Sequence, residues 1–391
     1  MRRETKLMHY GRATLPGPAN PPVIRASTIL HETVESYRQT RRKREDDDSV
    51  LSYGRRGTTP AHALMAAIAD MEGGDGAWLF PTGVAAIAST LSAFLKPGDH
   101  LLMVDTVFPA TRSFCDTVLV HNGIQVDYFP WDTTDLSAWM KPETTVIFVE
   151  SPGSQTFEVM DLPALTRRAR DHDITVIADN TYGSGWLYRP LDLGCDVSII
   201  AGTKYLGGHA DVMMGAAAAK GDSAAILRKA VHVTGQTLAP DEAYATLRGM
   251  RTLNLRLERH ETNALELARW FAARPEVMQV LHPALPLHPG GEIWARDASG
   301  TNGLLSVVFA PGFEVEPVLN RLQLFAIGSS WGGFESLAMP ADPYAMRRSK
   351  HGAVQGSMVR FHAGLEHVSD LIADLKQAFD GVGWLERLEN H

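Results

Sequence analysis

The chain has 391 residues, 45% of them hydrophobic and 21% charged, and its 37 Lys and Arg against 45 Asp and Glu give a formal net charge of -8. At roughly 150 residues per domain this is two or three domains with ample core; disordered chains are poorer in apolar residues, and no uncharged apolar run reaches the roughly 18 residues of a membrane span. The negative balance repels a phosphate backbone, so neither a nucleic acid nor a membrane is an expected partner.

The opening MRRETKLMHYGRATLPG is charged but has no apolar h-region, so no secretion signal is expected. Residues 1–58 read as a polar, Pro-rich N-terminal arm; its run RRKREDDD, Arg41 to Asp48, balances its own charges and predicts a solvated loop. Over residues 59–250 short apolar runs alternate with helical patterns. HLLMVDT, TTVIFVES, ITVIADN and DVSIIAG read as strands buried on both faces, while VAAIASTLSAFL, TRSFCDTVLVHNG and LPALTRRARDHD carry apolar residues at helical spacing. Such alternation predicts an α/β domain built on a parallel sheet with right-handed crossovers and helices on both faces. Residues 251–391 predict a smaller α+β domain: a long helix in RTLNLRLERHETNALELARWFAARP, strands in GLLSVVFA and SMVRFHAG, and a closing helix in DLIADLKQAFDGV. Cys115 and Cys195 make neither a disulfide framework nor a zinc spacing, which suits a reducing cytoplasm.

In an open α/β sheet, ligands sit at the carboxyl ends of the strands. Asp179 ends ITVIADN, and Lys204 follows DVSIIAG within GTKYLGGHAD. Neighbouring strand tips are about 4.8 Å apart, so an acid and an amine there can hold opposite ends of a pyridine. Pyridoxal phosphate chemistry needs that pair: the lysine bonds the cofactor aldehyde, and the acid keeps the ring nitrogen protonated. Taken singly, Asp179 reads as a strand-end cap and Lys204 as a surface lysine; the functional reading rests on the pair together with the phosphate-binding features that follow. In LFPTGVAAIAST, a strand runs through Thr82 and Gly83 into a helix whose first amides, at Gly83 and Val84, suit a phosphate, with the Thr203 hydroxyl as a further donor. SYGRRGT adds Tyr53 and Arg55, suited to phosphate oxygens, although without that context it reads as a basic loop.

YGRRGT, MEGGDGAWLFPTG, ESPGS, ADNTYG, GTKYLGGHAD, SWGGFES and VRFHAGLE follow one another from Tyr53 to Glu366. In order and spacing they resemble the Cys/Met-metabolism family of pyridoxal phosphate enzymes. ESPGS (Glu150 to Ser154) and Trp331 are similar to the bacterial cystathionine β-lyase branch. The resemblance implies fold type I, with a large domain on a mostly parallel doubly wound sheet and a smaller C-terminal α+β domain. It implies that Lys204 bonds the cofactor and shuttles protons, that Asp179 pairs with the pyridinium, and that Gly83, Val84 and Thr203 hold the phosphate. Tyr53 and Arg55 would reach in from a neighbouring subunit, making the chain at least a dimer and, as is usual in the family, a tetramer. Arg360 would grip the substrate α-carboxylate, Ser330 and Trp331 would line its pocket, and Phe108 would stack on the cofactor. The implied activity is α,β-elimination of cystathionine or a related S-substituted cysteine to thiol, pyruvate and ammonia.

Two positions depart from that pattern. Phe108 and Ser329 stand where the β-lyases carry tyrosines, which removes two phenols near one pocket. Either Lys204 and Tyr53 cover the catalytic proton traffic and the outcome is unchanged, or the same fold admits a changed outcome: β- or γ-replacement, γ-elimination or racemisation. A catalytically idle scaffold is disfavoured because Lys204 and Asp179 are both present. No metal is expected: His282 and His288 lie in a Pro-rich loop, His362 and His367 lack ligand spacing, and His209 reads as a structural histidine.

Overall fold

A computed structural model describes residues 1–12, 15–133, 135–349 and 355–382. It contains a seven-stranded sheet formed by β1 (Gly76–Phe80), β2 (His100–Val104), β3 (Gln125–Phe129), β4 (Thr144–Glu150), β5 (Thr175–Asp179), β6 (Val197–Ile200) and β7 (Gly215–Ala219). The order across it is β1-β7-β6-β5-β4-β2-β3, and β7 alone runs antiparallel to its neighbours. The four apolar runs read as strands are β2, β4, β5 and β6. They are apolar throughout because helices cover both faces of the sheet. One apolar cluster, with Leu102, Phe148 and Ile177, and another, with Leu64, Leu79 and Ala218, hold these layers together.

β7 carries no strand signal in its sequence, GAAAA, yet all five residues are buried. Small side chains suit this place because other backbone lies against it: a Cβ on Gly215 would fall 2.3 Å from the Thr82 carbonyl oxygen. The pattern TRSFCDTVLVHNG is helical only in part. An α-helix Pro109–Phe114 widens into a π-turn over Cys115–Leu119. The mixed-charge run is also more than a solvated loop. Arg41–Lys43 end the helix Val34–Lys43, and Asp48 is half-buried, accepting from Trp78 Nε1 at 3.1 Å and Arg228 Nη2 at 2.8 Å.

The second sheet has five strands: β8 (Val277–Leu281), β9 (Leu304–Phe309), β10 (Ala326–Ile327), β11 (Leu337–Ala341) and β12 (Met358–His362). Its order is β10-β11-β12-β9-β8. The helices Leu253–Ala272 and Val368–Asp380 pack on one face through Leu267, Phe271, Leu371 and Phe379. Strand alternation then turns Val359 and Phe361 into that core and Arg360 and His362 to the opposite face. This architecture is fold type I. His282 and His288 are buried and hydrogen-bonded to Thr301 and the Phe157 carbonyl. Cys115 and Cys195 are buried free thiols.

Candidate active site

The parallel strands deliver their last residues to one edge of the large sheet. Glu150 and Asp179 occupy paired positions at the ends of β4 and β5. Asp179 is buried, and its Oδ1 accepts from Thr181 N at 2.9 Å and Thr181 Oγ1 at 2.6 Å. The same Oγ1 accepts from Ala201 N, just beyond β6, so one hydroxyl ties two strand tips together. Asp179 Oδ2 receives no hydrogen bond from the described residues. Burial pushes the Asp179 carboxyl up, against the Thr181 hydrogen bonds and the Lys204 charge, which pull it down.

Lys204 follows β6 through Ala201, Gly202 and Thr203 and is half-buried. Burial, aided by the Arg360 charge and opposed by Asp179, lowers its amine to about 8. The lysine Nζ donates to Ser330 Oγ at 2.7 Å and lies 5.3 Å from the centre of the Trp331 ring. Ser330 has a left-handed backbone, φ +88°, unusual for a residue with a Cβ, and its carbonyl accepts from Arg360 Nη2 at 2.7 Å. Arg360 Nε is buried without a partner among the described residues, so the guanidinium keeps a donor for an incoming anion.

A second anion cradle lies at the helix Gly83–Phe94. Thr82 caps it, accepting from Ala85 N at 3.0 Å, which leaves the Gly83 and Val84 amides without a helical acceptor. Gly83 must be glycine here, because an added Cβ would sit 2.6 Å from the Ala201 Cβ. Thr203 Oγ1 donates to the Met214 carbonyl at 3.1 Å and accepts from Met214 N at 2.9 Å, so its proton is already engaged. An unpaired oxygen on a buried acid, a half-buried amine of lowered basicity and exposed helix amides form a donor set that fits pyridoxal phosphate.

Glu150 was singled out in the sequence only as part of ESPGS. Its Oε2 accepts from Phe108 N at 2.6 Å and so fixes the backbone of the expected stacking ring, which is 43% exposed. Burial and the adjacent Asp179 push its carboxyl up. Its place at the end of β4, matching Asp179 on β5, is the signal that could have found it. Ser329 is exposed. Tyr53 and Arg55 make no hydrogen bond, ion pair or ring contact with the Lys204 group. Tyr53 is exposed and bridges to Thr28, and Arg55 Nη1 donates to the His232 carbonyl at 3.1 Å.

Residues 4–380 match the family model described as Cys/Met metabolism PLP-dependent enzyme. The chain is 40% identical to the cystathionine beta-lyase of Bordetella avium, over 96% of this chain and 97% of that one. It is 34% identical to the L-alanine/L-glutamate racemase of Wolbachia pipientis wMel, over 97% of each. A crystal structure of cystathionine gamma-lyase from Lactobacillus plantarum complexed with L-serine superposes with a TM-score of 0.88 at 28% identity, covering 97% of this chain and 99% of that chain.

Proposed function

The chain belongs to the Cys/Met metabolism family of PLP-dependent enzymes, and from that premise we propose that it is a carbon–sulfur lyase acting on cystathionine or a related S-substituted cysteine. The observation that carries this reading is the Lys204–Ser330–Arg360 relay: a base of lowered pKa hydrogen-bonded to the residue whose carbonyl orients a guanidinium.

When bound, pyridoxal phosphate supplies an electron sink for the pair left at Cα when its proton departs. Gly83 and Val84 hold its phosphate, and Asp179 holds a proton at its ring nitrogen. Arg360 grips the substrate α-carboxylate through its Nε and Nη donors, which orients Cα toward Lys204. Lys204 Nζ, near 8 rather than 10.5, accepts the α-proton and hands it to the sulfur leaving from Cβ. Ser330 holds that amine in place between the two transfers. Net addition of water to the remaining three-carbon fragment gives pyruvate and ammonia alongside the thiol.

Tyr53 and Arg55 belong in this reading to a neighbouring subunit's site, carried there by the arm of residues 1–58. That makes the protein at least a dimer, with the tetramer usual for the family. We place it in the cytoplasm; among the described residues no helix is long and apolar enough to cross a membrane. Incubation with cystathionine should release pyruvate, ammonia and a free thiol in equal amounts. Absence of pyruvate with cystathionine and with other S-substituted cysteines overturns the α,β-elimination reading. Phe108, a ring without a phenol, favours one alternative, a changed outcome. Ketobutyrate would mark γ-elimination, and an inverted enantiomer would mark racemisation.

A further inference from the structure

Two residues beyond Arg360 on the same face of β12, His362 ends the strand, fully buried. Its two ring nitrogens face two different backbone groups. Nε2 lies 3.1 Å from the Gly332 amide, which can only donate, so that nitrogen carries no proton. Nδ1 lies 3.1 Å from the Glu335 carbonyl, which can only accept, so that nitrogen carries one. The surroundings leave a single neutral tautomer.

β12 therefore holds the loop that runs over Lys204 at three backbone points: the Ser330 carbonyl by Arg360, and the Gly332 amide and Glu335 carbonyl by His362. Within that loop Ser330 has φ of +88°, a conformation that a residue with a Cβ keeps only where neighbours dictate it, followed by Gly332 at +89°, which glycine adopts freely. The fit against the lysine is close, since a Cβ on Gly332 would stand 2.9 Å from the Lys204 carbonyl carbon and from Tyr205 N. Tyr205 backs this contact, its ring 5.4 Å from Trp331 and 6.0 Å from His362. Burial, then the neighbouring His260, Arg360 and Lys204, hold His362 neutral against the pull of the Glu335 carbonyl.

We propose that His362 is a positioning residue: its Nδ1-protonated ring staples residues 330–335, and so sets Ser330 Oγ against the Lys204 amine and the Ser330 carbonyl against Arg360. The idea rests on the lyase reading for its kinetic consequence but not for its structural one.

The experiment compares cofactor-loaded wild type, His362→Phe and His362→Gln. Deuterium exchange of the peptide carrying Gly332 should rise by about tenfold in rate in His362→Phe, as losing one hydrogen bond implies, and fall back toward wild type in His362→Gln, whose amide offers one acceptor and one donor. The KM for cystathionine should rise about tenfold in His362→Phe, more than kcat falls, while the cofactor absorbance of the loaded enzyme persists. An unchanged Gly332 amide with unchanged KM in His362→Phe overturns the proposal. Where His362→Phe does not fold, His362→Gln decides, and a Gly332 amide left unprotected in it overturns the proposal. A wild type inert toward cystathionine and other S-substituted cysteines sinks the lyase reading alone, because the exchange at Gly332 is read without turnover.

Discussion

Glu150 and Asp179 stand side by side at the ends of two parallel strands, and each carboxylate is committed to a different task. Asp179 is fastened by Thr181 and keeps one oxygen free, whereas Glu150 accepts from the Phe108 amide. Burial pushes both carboxyls up, and for Glu150 the neighbouring Asp179 charge adds to it. Replacing Glu150 by Ala removes the acceptor under Phe108 and one of the two charges. The expected result is a several-fold loss of kcat/KM with the cofactor still bound, measured by steady-state kinetics beside the absorbance spectrum. An unchanged kcat/KM would show that the Phe108 backbone needs no anchor.

Lys204→Ala removes the amine that donates to Ser330 Oγ. A general base contributes about 10² to 10⁴ in rate, and more is lost when the same residue also binds the cofactor, so turnover should fall below detection. Full activity in this variant would refute the assignment of the base.

The Lys204 amine lies near 8, lowered by burial. The neutral form is the base, so kcat should climb with pH and level off above about 8. Arg360→Lys moves a flexible point charge into the place of the planar fork. It should raise KM by about tenfold or more, the loss of a bidentate grip, with a smaller effect on kcat.

Gly83→Ala places a methyl 2.6 Å from the Ala201 Cβ. The helix start must then move away from β6, carrying the Gly83 and Val84 amides with it. Cofactor affinity should weaken by about tenfold or more, as titration of the apoenzyme by absorbance would read. Unaltered affinity would remove the phosphate from this helix.

Glu72 sits fully buried behind the strand tips, with both oxygens accepting from Asn180 Nδ2 at 2.9 and 3.2 Å. Burial raises its carboxyl from 4.5 to about 7, against the Asn180 hydrogen bonds and the charges of Arg189 and Arg3. The folded state thus binds this proton more tightly than the unfolded chain does. The stability it contributes is complete below about 4.5 and is lost as pH rises through about 7. Glu72→Gln should remove that pH dependence, so between those limits the stability difference between the variant and wild type shifts in favour of the variant by about 3 kcal/mol. Denaturation followed at pH 4.5 and pH 8 would measure it; parallel behaviour of the two proteins would contradict the burial argument.

Much of the architecture was legible along the chain, and for local reasons. A strand covered on both faces must be apolar throughout, so β2, β4, β5 and β6 announced themselves, and the ionisable residues at or shortly after their ends, Asp179 and Lys204, stood out against that background. The glycine and threonine opening the helix Gly83–Phe94 were equally readable. β7 was not, because alanine has no strand preference and its place is decided by the helices and loops that close on it. The partial unwinding at Cys115–Leu119 left no periodic signature either.

The sequence by itself determined which chemical groups are available: an amine, an acid, helix amides and a guanidinium, each at the end or edge of an element whose pattern is local. Only the tertiary structure decided how they are held. Ser330 reaches Lys204, and His362 reaches Gly332, across separations in the chain that no periodicity spans. Glu150 acquired its task because parallel strands bring their ends into register. Such contacts depend on how two sheets and a loop pack together, and packing is a property of surfaces that meet only after the chain has folded.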